Sequence, residues 1–312
     1  MPTPADLIKR FRSRVQIVDG ALATELQARG VVIDGPLWSG HALLDQPDAI
    51  EQLHYDYLRS GADVIISASY QVSVPGMLDA GYTENEAEEA LRRSVQLAVN
   101  ARKRFVKDGG AGQPLIAASI GPYGAFTADG GEYSGEYGVG FDELLEFHER
   151  RFEILAESGA DLLACETTPR LEEAHVYARL LRRWADKPGW ISFSCKDGHH
   201  TCHGERVADC ARELSPTANL VAMGVNCTAP QHVSSLIREI RSATDKPIVV
   251  YPNSGETWDA ENHCFGGQGH AHEIADHAAE WIEAGANLIG GCCRIGPTQI
   301  AALRQATGGL ER

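Results

Sequence analysis

Short apolar runs recur along the chain, at 15–18, 63–69, 115–120, 161–165, 190–195, 220–226, 247–251 and 286–291. Each is short and nearly continuous, the pattern of a strand buried on both faces. Between them, apolar residues fall three and four positions apart at 48–60, 84–107, 142–158, 171–185, 231–243 and 271–284, which predicts amphipathic helices. A lead-in helix is expected over 1–14, and another begins at Ala21-Leu22-Ala23 directly after the first strand. Three joints share one cadence: Ser60-Gly61-Ala62-Asp63, Ser158-Gly159-Ala160-Asp161 and Ala284-Gly285-Ala286-Asn287 each end a helix on glycine and lead into a strand. Eight buried strands alternating with helices predict an α/β fold, the (β/α)8 or TIM barrel. An open doubly wound sheet is the alternative, but no Gly-x-Gly-x-x-Gly turn follows the first strand. No linker or low-complexity tract breaks the sequence, so 1–312 is expected to be a single domain.

Composition narrows the partners. Hydrophobic residues make up 43% of the chain, ample for a large core, and the formal net charge of -15 argues against nucleic acid or an anionic membrane surface. No run reaches the ~18 apolar residues of a membrane span. The first fourteen residues are polar and carry no secretory pattern, so the expected compartment is the cytoplasm. Eight cysteines in so long a chain are then expected as free thiols or metal ligands rather than disulfides.

Barrel enzymes carry their chemistry at the C-terminal ends of the strands. Those ends read Asp19, Ser69-Tyr70-Gln71, Gly121-Pro122, Glu166, Ser194-Cys195, Asn226-Cys227, Tyr251-Pro252-Asn253 and Cys292-Cys293. Cys227, Cys292 and Cys293 are expected to gather as three thiolates around one zinc, with a fourth position left open. Gly290 and Gly291 before the cysteine pair allow the close backbone approach such a site needs. For any one cysteine, packing as a small hydrophobe is the alternative. A structural zinc closed by Cys264 or Cys195 is a further reading, and a metal-free site using Asp19 and Glu166 as acid and base is another. Asp19 is also placed to cap the following helix, whereas Glu166, after a strongly apolar run, points to ligand binding. Of the twelve histidines, His199, His200, His203, His270 and His272 have polar loop or helix-start contexts, and no His-Glu-x-x-His spacing occurs, so the histidines are expected at the surface.

Sulfur-rich ligation leaves zinc a poor Lewis acid for carbonyls, but it suits another task. A thiol taking the open position is deprotonated outright, whereas a free thiol with a pKa of ~8.5 stays mostly protonated at neutral pH. The implied chemistry is alkylation of a substrate sulfur. The glycine- and tyrosine-rich segment 121–140 is too long for a turn and reads as a lid or binding loop.

Asp19-Gly20-Ala21, Glu166-Thr167, Gly224-Val225-Asn226-Cys227 and Gly290-Gly291-Cys292-Cys293-Arg294 together resemble the homocysteine S-methyltransferase family. Ser69-Tyr70-Gln71, Gly121-Pro122-Tyr123-Gly124-Ala125 and Tyr251-Pro252-Asn253-Ser254-Gly255-Glu256 are most similar to its S-methylmethionine-dependent branch. The resemblance implies a zinc-bearing barrel that makes methionine from homocysteine. It implies zinc on Cys227, Cys292 and Cys293, and Asp19 and Glu166 at the homocysteine ammonium; Asn226, beside the first of these cysteines, joins the expected substrate-binding set. The donor is expected to be a cation that enters the same barrel, S-methylmethionine or S-adenosylmethionine, with betaine the alternative within the family. Trp38, Tyr70 and Trp258 are candidate aromatic faces for it, each such contact contributing ~0.5–2 kcal/mol. Core packing is the commoner role of an aromatic, and Trp38, among polar and glycine neighbours, departs most from it. Gln71, beside Tyr70, completes the expected set. The long C-terminal extension of the betaine-dependent enzymes has no counterpart here, so a tetramer like theirs is not expected; the oligomeric state is left open, a monomer among the alternatives.

Overall fold

Valine, isoleucine, leucine and alanine dominate the eight predicted runs, and each run forms a parallel strand in the computed structural model, which describes residues 2–33, 37–259, 264–266, 269 and 271–308. The strands are β1 (Gln16–Ile17), β2 (Val64–Ile66), β3 (Leu115–Ile120), β4 (Leu162–Thr168), β5 (Gly189–Phe193), β6 (Leu220–Asn226), β7 (Ile248–Tyr251), β8 (Thr257–Asp259), β9 (Cys264–Gly266) and β10 (Leu288–Ile289). Eight of them pair in the order β1-β10-β7-β6-β5-β4-β3-β2, and a bridge from Val18 to Val64 joins the two ends, so the sheet closes into the expected (β/α)8 barrel. β8 and β9 form a separate antiparallel hairpin after β7.

The apolar side chains divide into two layers. Val18, Val64, Ala117, Leu162, Ala164, Trp190, Val249 and Leu288 belong to the cluster inside the barrel, and the larger cluster lies between strands and helices. The lead-in helix Pro4–Ser13 closes the N-terminal mouth. Thr3 and Asp6 form its capping box, Pro4 opens it, and Leu7 and Phe11 are buried in the inner cluster. Burying each of those two side chains contributes ~1.5–3 kcal/mol. The bottom is thereby sealed, and only the C-terminal mouth remains for a site.

Most helices fall where the periodicity places them, including Glu84–Lys107, Phe141–Ala156, Leu171–Arg183 and Pro230–Ala243. The expected helix over 271–284 is different. A 3-10 turn at Ala271–Glu273 comes first, bonds from Asp276 N to Glu273 O and from Ala278 N to Ala275 O keep the chain tightly wound, and the α-helix spans only Ala278–Ala284. Short helices at Ser39–Asp45, Val74–Asp79, Val207–Leu214 and Pro297–Thr307 were not expected. Strands β1, β2 and β10 are shorter than their apolar runs, because the chain leaves the ladder there to build the mouth. No helix among the described residues is long and apolar enough to cross a membrane.

Candidate active site

The cysteines meet because two strand ends bend toward each other. β6 finishes at Asn226, and Cys227 then takes a left-handed conformation at φ 47° while its N–H donates to Tyr251 O at 3.1 Å. Non-glycine residues rarely adopt that region, so the turn holds strain that its surroundings must fix. Opposite, a Cβ on Gly290 would lie 2.7 Å from Val18 Cβ, and one on Gly291 would lie 2.2 Å from Ile295 Cγ2. Only glycine lets the chain pass there. Cys292 N then donates to Pro252 O at 2.7 Å, and Cys293 O accepts from Ser254 N at 3.2 Å.

These constraints bring Cys227 Sγ within 3.7 Å of Cys293 Sγ, and Cys292 Sγ within 4.0 Å of Cys293 Sγ. All three sulfurs lie within 4.8 Å of one another, and no other His, Cys, Asp and Glu grouping of three among the described residues is spaced to hold a metal ion. Tetrahedral ligation with metal–sulfur bonds of ~2.3 Å requires sulfurs ~3.8 Å apart, so the spacing suits a thiophilic ion. The thiols share protons unequally. Hydrogen bonds from Cys292, Cys293 and Tyr133 hold Cys227 below the ordinary thiol range, and contact with Cys227 pushes the other two up. Cys195 does not join them: it is buried at the end of β5, with Phe193 O 4.0 Å from its sulfur, and burial drives its pKa up. The side chain of Cys264 lies outside the described residues, as does that of Trp258.

The acids sit lower in the barrel. Asp19 is buried and accepts from Ile66 N at 2.8 Å through Oδ2, tying β1 to β2. It caps no helix, since Ala23–Ala28 begins at Leu22 without a side-chain cap. Its Oδ1 is buried without a partner, and burial, reinforced by Glu166, raises its pKa well above the usual carboxylate range. Glu166 accepts from Ser119 through Oε1 and from the Tyr251 hydroxyl at 3.0 Å through Oε2. Burial outweighs both bonds and pushes its pKa up to about 7.

Behind Glu166 runs a connected set of inward-facing polar groups. Tyr251 OH accepts from Trp190 Nε1 at 3.1 Å, and Ser192 Oγ lies 2.7 Å from both Tyr251 OH and Asn226 Oδ1, its single proton going to one or the other. Asn226 also accepts from Thr167 N and donates to Thr167 Oγ1, each at 2.7 Å, holding Thr167 at φ 56°. Asn226 thus shapes the strand ends on either side of Glu166 and Cys227, a positioning role beyond the substrate contact expected of it. Satisfied buried networks of this kind fix one arrangement.

The segment 121–140 crosses over these groups. It contains a helix at Tyr123–Thr127 and a 3-10 turn at Gly131–Tyr133, and it places Tyr133 OH 3.2 Å from Cys227 Sγ. Its anchor lies outside the mouth. Glu173 accepts from Tyr123 N at 2.6 Å, Tyr137 OH at 3.0 Å and His148 Nε2 at 2.8 Å. His148 Nδ1 accepts from Arg151 Nη2 at 2.7 Å, and the same nitrogen of Arg151 donates to Gly121 O. Burial lowers the His148 pKa to about 4, so a neutral imidazole links guanidinium to carboxylate. Glu132, Tyr133, Ser119, Tyr251 and this anchor were not foreseen as site residues.

The mouth is a cavity of about 520 Å³. Cys227, Cys292, Cys293, Glu166, Asn226, Trp38, Tyr70 and Gln71 all line it, whereas Asp19 lies just beneath the lining. Gln71 Oε1 and Glu132 Oε2 are shielded there without hydrogen-bond partners. His199, His200 and His203 hydrogen-bond to Glu239, Asp197 and Glu205 away from the cavity, as their polar contexts suggested, whereas His54 and His148, expected at the surface, are buried on the inward faces of their helices.

Comparison with known proteins agrees with this geometry. The family model for homocysteine S-methyltransferase matches residues 16–307. Homocysteine S-methyltransferase YbgG of Bacillus subtilis (strain 168) is 46% identical over 288 residues, covering 91% of each chain. Homocysteine S-methyltransferase 1 of Arabidopsis thaliana is 43% identical over 313 residues, covering 96% of this chain and 94% of its own. The metallated form of the homocysteine methyltransferase MmuM from Escherichia coli superposes with a TM-score of 0.87 at 38% identity, covering 97% of this chain and 99% of its own. On sequence, fold and the cysteine cluster at the barrel mouth alike, the chain belongs to the homocysteine S-methyltransferase family.

Proposed function

We propose that this enzyme moves a methyl group from a sulfonium donor, S-methylmethionine or S-adenosylmethionine, to the thiol of L-homocysteine, forming methionine. The observation that carries this reading is the gathering of three sulfurs within 4.8 Å at the wall of an open cavity. Cys227, Cys292 and Cys293 would hold zinc, the ion their sulfur set and spacing suit best. When bound, it supplies an open position at which a thiol loses its proton. The free Oδ1 of Asp19 and the carboxylate of Glu166 are offered to the homocysteine ammonium, a charge-assisted pairing that orients the amino acid. Trp38 and Tyr70 present aromatic faces to the cationic donor.

With both substrates in one cavity, the homocysteine sulfur attacks the donor methyl in line. A new C–S bond forms, the donor C–S bond breaks, and its electron pair stays on the donor sulfur as a neutral thioether. Orientation supplies much of the advantage. We read the whole of 1–312 as one homocysteine-binding barrel acting on small molecules. Its thiols need a reducing compartment, and we assign it to the cytoplasm. The test offers homocysteine with S-methylmethionine, S-adenosylmethionine and betaine in separate assays of the zinc-loaded protein. Methionine from a sulfonium donor is the expected result; turnover with betaine alone would overturn the donor assignment.

A further inference from the structure

We propose that Glu132 is the counter-charge for the α-ammonium group of the methyl donor, and thereby selects sulfonium donors that carry an amino-acid end. The proposal rests on the sulfonium-to-thiol reading above. Glu132 comes from the turn Gly131–Tyr133 rather than from a strand end, and it lines the cavity. Its Oε2 is shielded from solvent and has no hydrogen-bond partner. A carboxylate oxygen left in that condition carries an unreturned desolvation cost unless a ligand completes it.

The turn that carries it is firmly seated. Glu132 O accepts from Ser194 Oγ at 2.8 Å, Gly131 N donates to Asp129 Oδ1 at 3.0 Å, and Glu132 N lies 2.3 Å from where a Cβ on Gly124 would be. The neighbouring Tyr133 hydroxyl reaches Cys227 Sγ at 3.2 Å, so the turn lies against the sulfur cluster. Position separates Glu132 from the acids assigned to homocysteine. Asp19 and Glu166 are buried at the ends of β1 and β4, and Glu166 adds to the upward shift of Asp19. Glu132 is less buried, and the charged neighbours it feels are Cys227 and Asp129. The floor acids meet the first amino acid; the turn acid is left for the second.

Chemistry decides which donor charge it meets. The sulfonium charge vanishes as the methyl leaves, so a carboxylate paired with it would favour the ground state over the transition state and slow transfer. The ammonium keeps its charge throughout. Pairing there strengthens donor binding equally before and during transfer, which lowers KM and leaves kcat alone. Gln71 Oε1, shielded and unpartnered in the same cavity, is a second acceptor for that group.

The test compares S-methylmethionine with 3-dimethylsulfoniopropionate, which keeps a sulfonium and a carboxylate but lacks the ammonium, at saturating homocysteine in zinc-loaded protein. Glu132→Gln should lower kcat/KM for S-methylmethionine about 10- to 100-fold, the size of a charge-assisted hydrogen bond, through donor KM. The ammonium-free donor should change by less than about twofold, and the homocysteine KM should stay put. Glu132→Asp, which keeps the charge, should recover part of the loss. An equal fall for both donors, or a rise in homocysteine KM, would overturn the proposal. If wild-type protein turns over neither sulfonium, the underlying reading fails and takes this one with it.

Discussion

Glu166 stands at the end of β4 and Glu132 in the turn Gly131–Tyr133, and burial pushes both carboxyls up to about 7. Their support differs. Glu166 has Ser119 of the adjacent strand β3 on one oxygen and Tyr251 of β7, from across the barrel, on the other, so the closed sheet itself sets its position. Glu132 is placed by a segment that the ladder does not reach. That segment depends on a separate buried set, Glu173, His148 and Arg151, which grips Gly121, Tyr123 and Tyr137 from outside the mouth. The floor is built by the fold, whereas the crossing segment is pinned to it by a few charged side chains. The floor should therefore respond to substitution locally, and the crossing segment as a unit.

The strongest way to break the floor is through a sulfur. Cys292→Ala should abolish metal retention and lower methionine formation by more than the ~10- to 100-fold that changes behind a metal ligand bring. Its melting temperature should move little, because Cys292 is only partly buried at the edge of the inner cluster and alanine keeps its Cβ there. Metal analysis alongside the assay checks this; a variant with full metal and full activity would remove Cys292 from the site.

Glu173→Gln addresses the other region. It removes the carboxylate that His148 links to the buried Arg151 guanidinium, a loss on the order of 3 kcal/mol or more for a buried charged group whose hydrogen-bonded set is broken. Hydrogen exchange should rise across 121–140 before it rises in β3 to β6, while metal content stays complete. Uniform exchange over the whole barrel would mean that the set stabilises the fold generally and has no particular hold on this segment.

The smallest effect is a pH dependence of the substrate-free protein. Folding raises the Glu166 pKa from 4.5 to about 7, so between those values the folded state binds more protons than the unfolded one. Its contribution is complete below about pH 4.5 and is lost as pH rises to about 7, a change on the order of 3 kcal/mol. Chemical denaturation at pH 5 and pH 8 measures it, and Glu166→Gln should flatten that part of the slope. A stability that climbs from pH 5 to pH 8 by the same amount would contradict the burial argument.

The two regions also differ in how far the sequence discloses them. Cys227, Glu166 and the Cys292-Cys293 pair are legible because each ends an apolar run, and the barrel turns strand ends into neighbours. Asp19 is legible as a polar end, but its tie to Ile66 N in place of a helix cap depends on β1 meeting β2 across the closure. Ser119 and Ser192 lie inside runs that read as apolar strands, and their inward direction emerges only with the register, as does the reach of Tyr251, legible as a strand end, across to Glu166. Glu132 and Tyr133 have no periodicity to mark them: glycines surround them, and their place follows from packing of the turn on Gly124. Glu173, on a predicted helix face, looks like an ordinary surface acid until His148 and Tyr123 arrive beside it. Val207–Leu214 escaped notice because eight residues give the helical period barely two turns to show itself.

On the proposed reading, Cys227, Cys292 and Cys293 would hold a metal with one position left for the sulfur of homocysteine. Zinc K-edge absorption of the zinc-loaded protein, recorded before and after homocysteine is added, tests it directly. Three sulfur neighbours at ~2.3 Å are expected without substrate and four with it, and no such change with homoserine, which lacks the thiol. Four sulfurs in both states, or three in both, would contradict it.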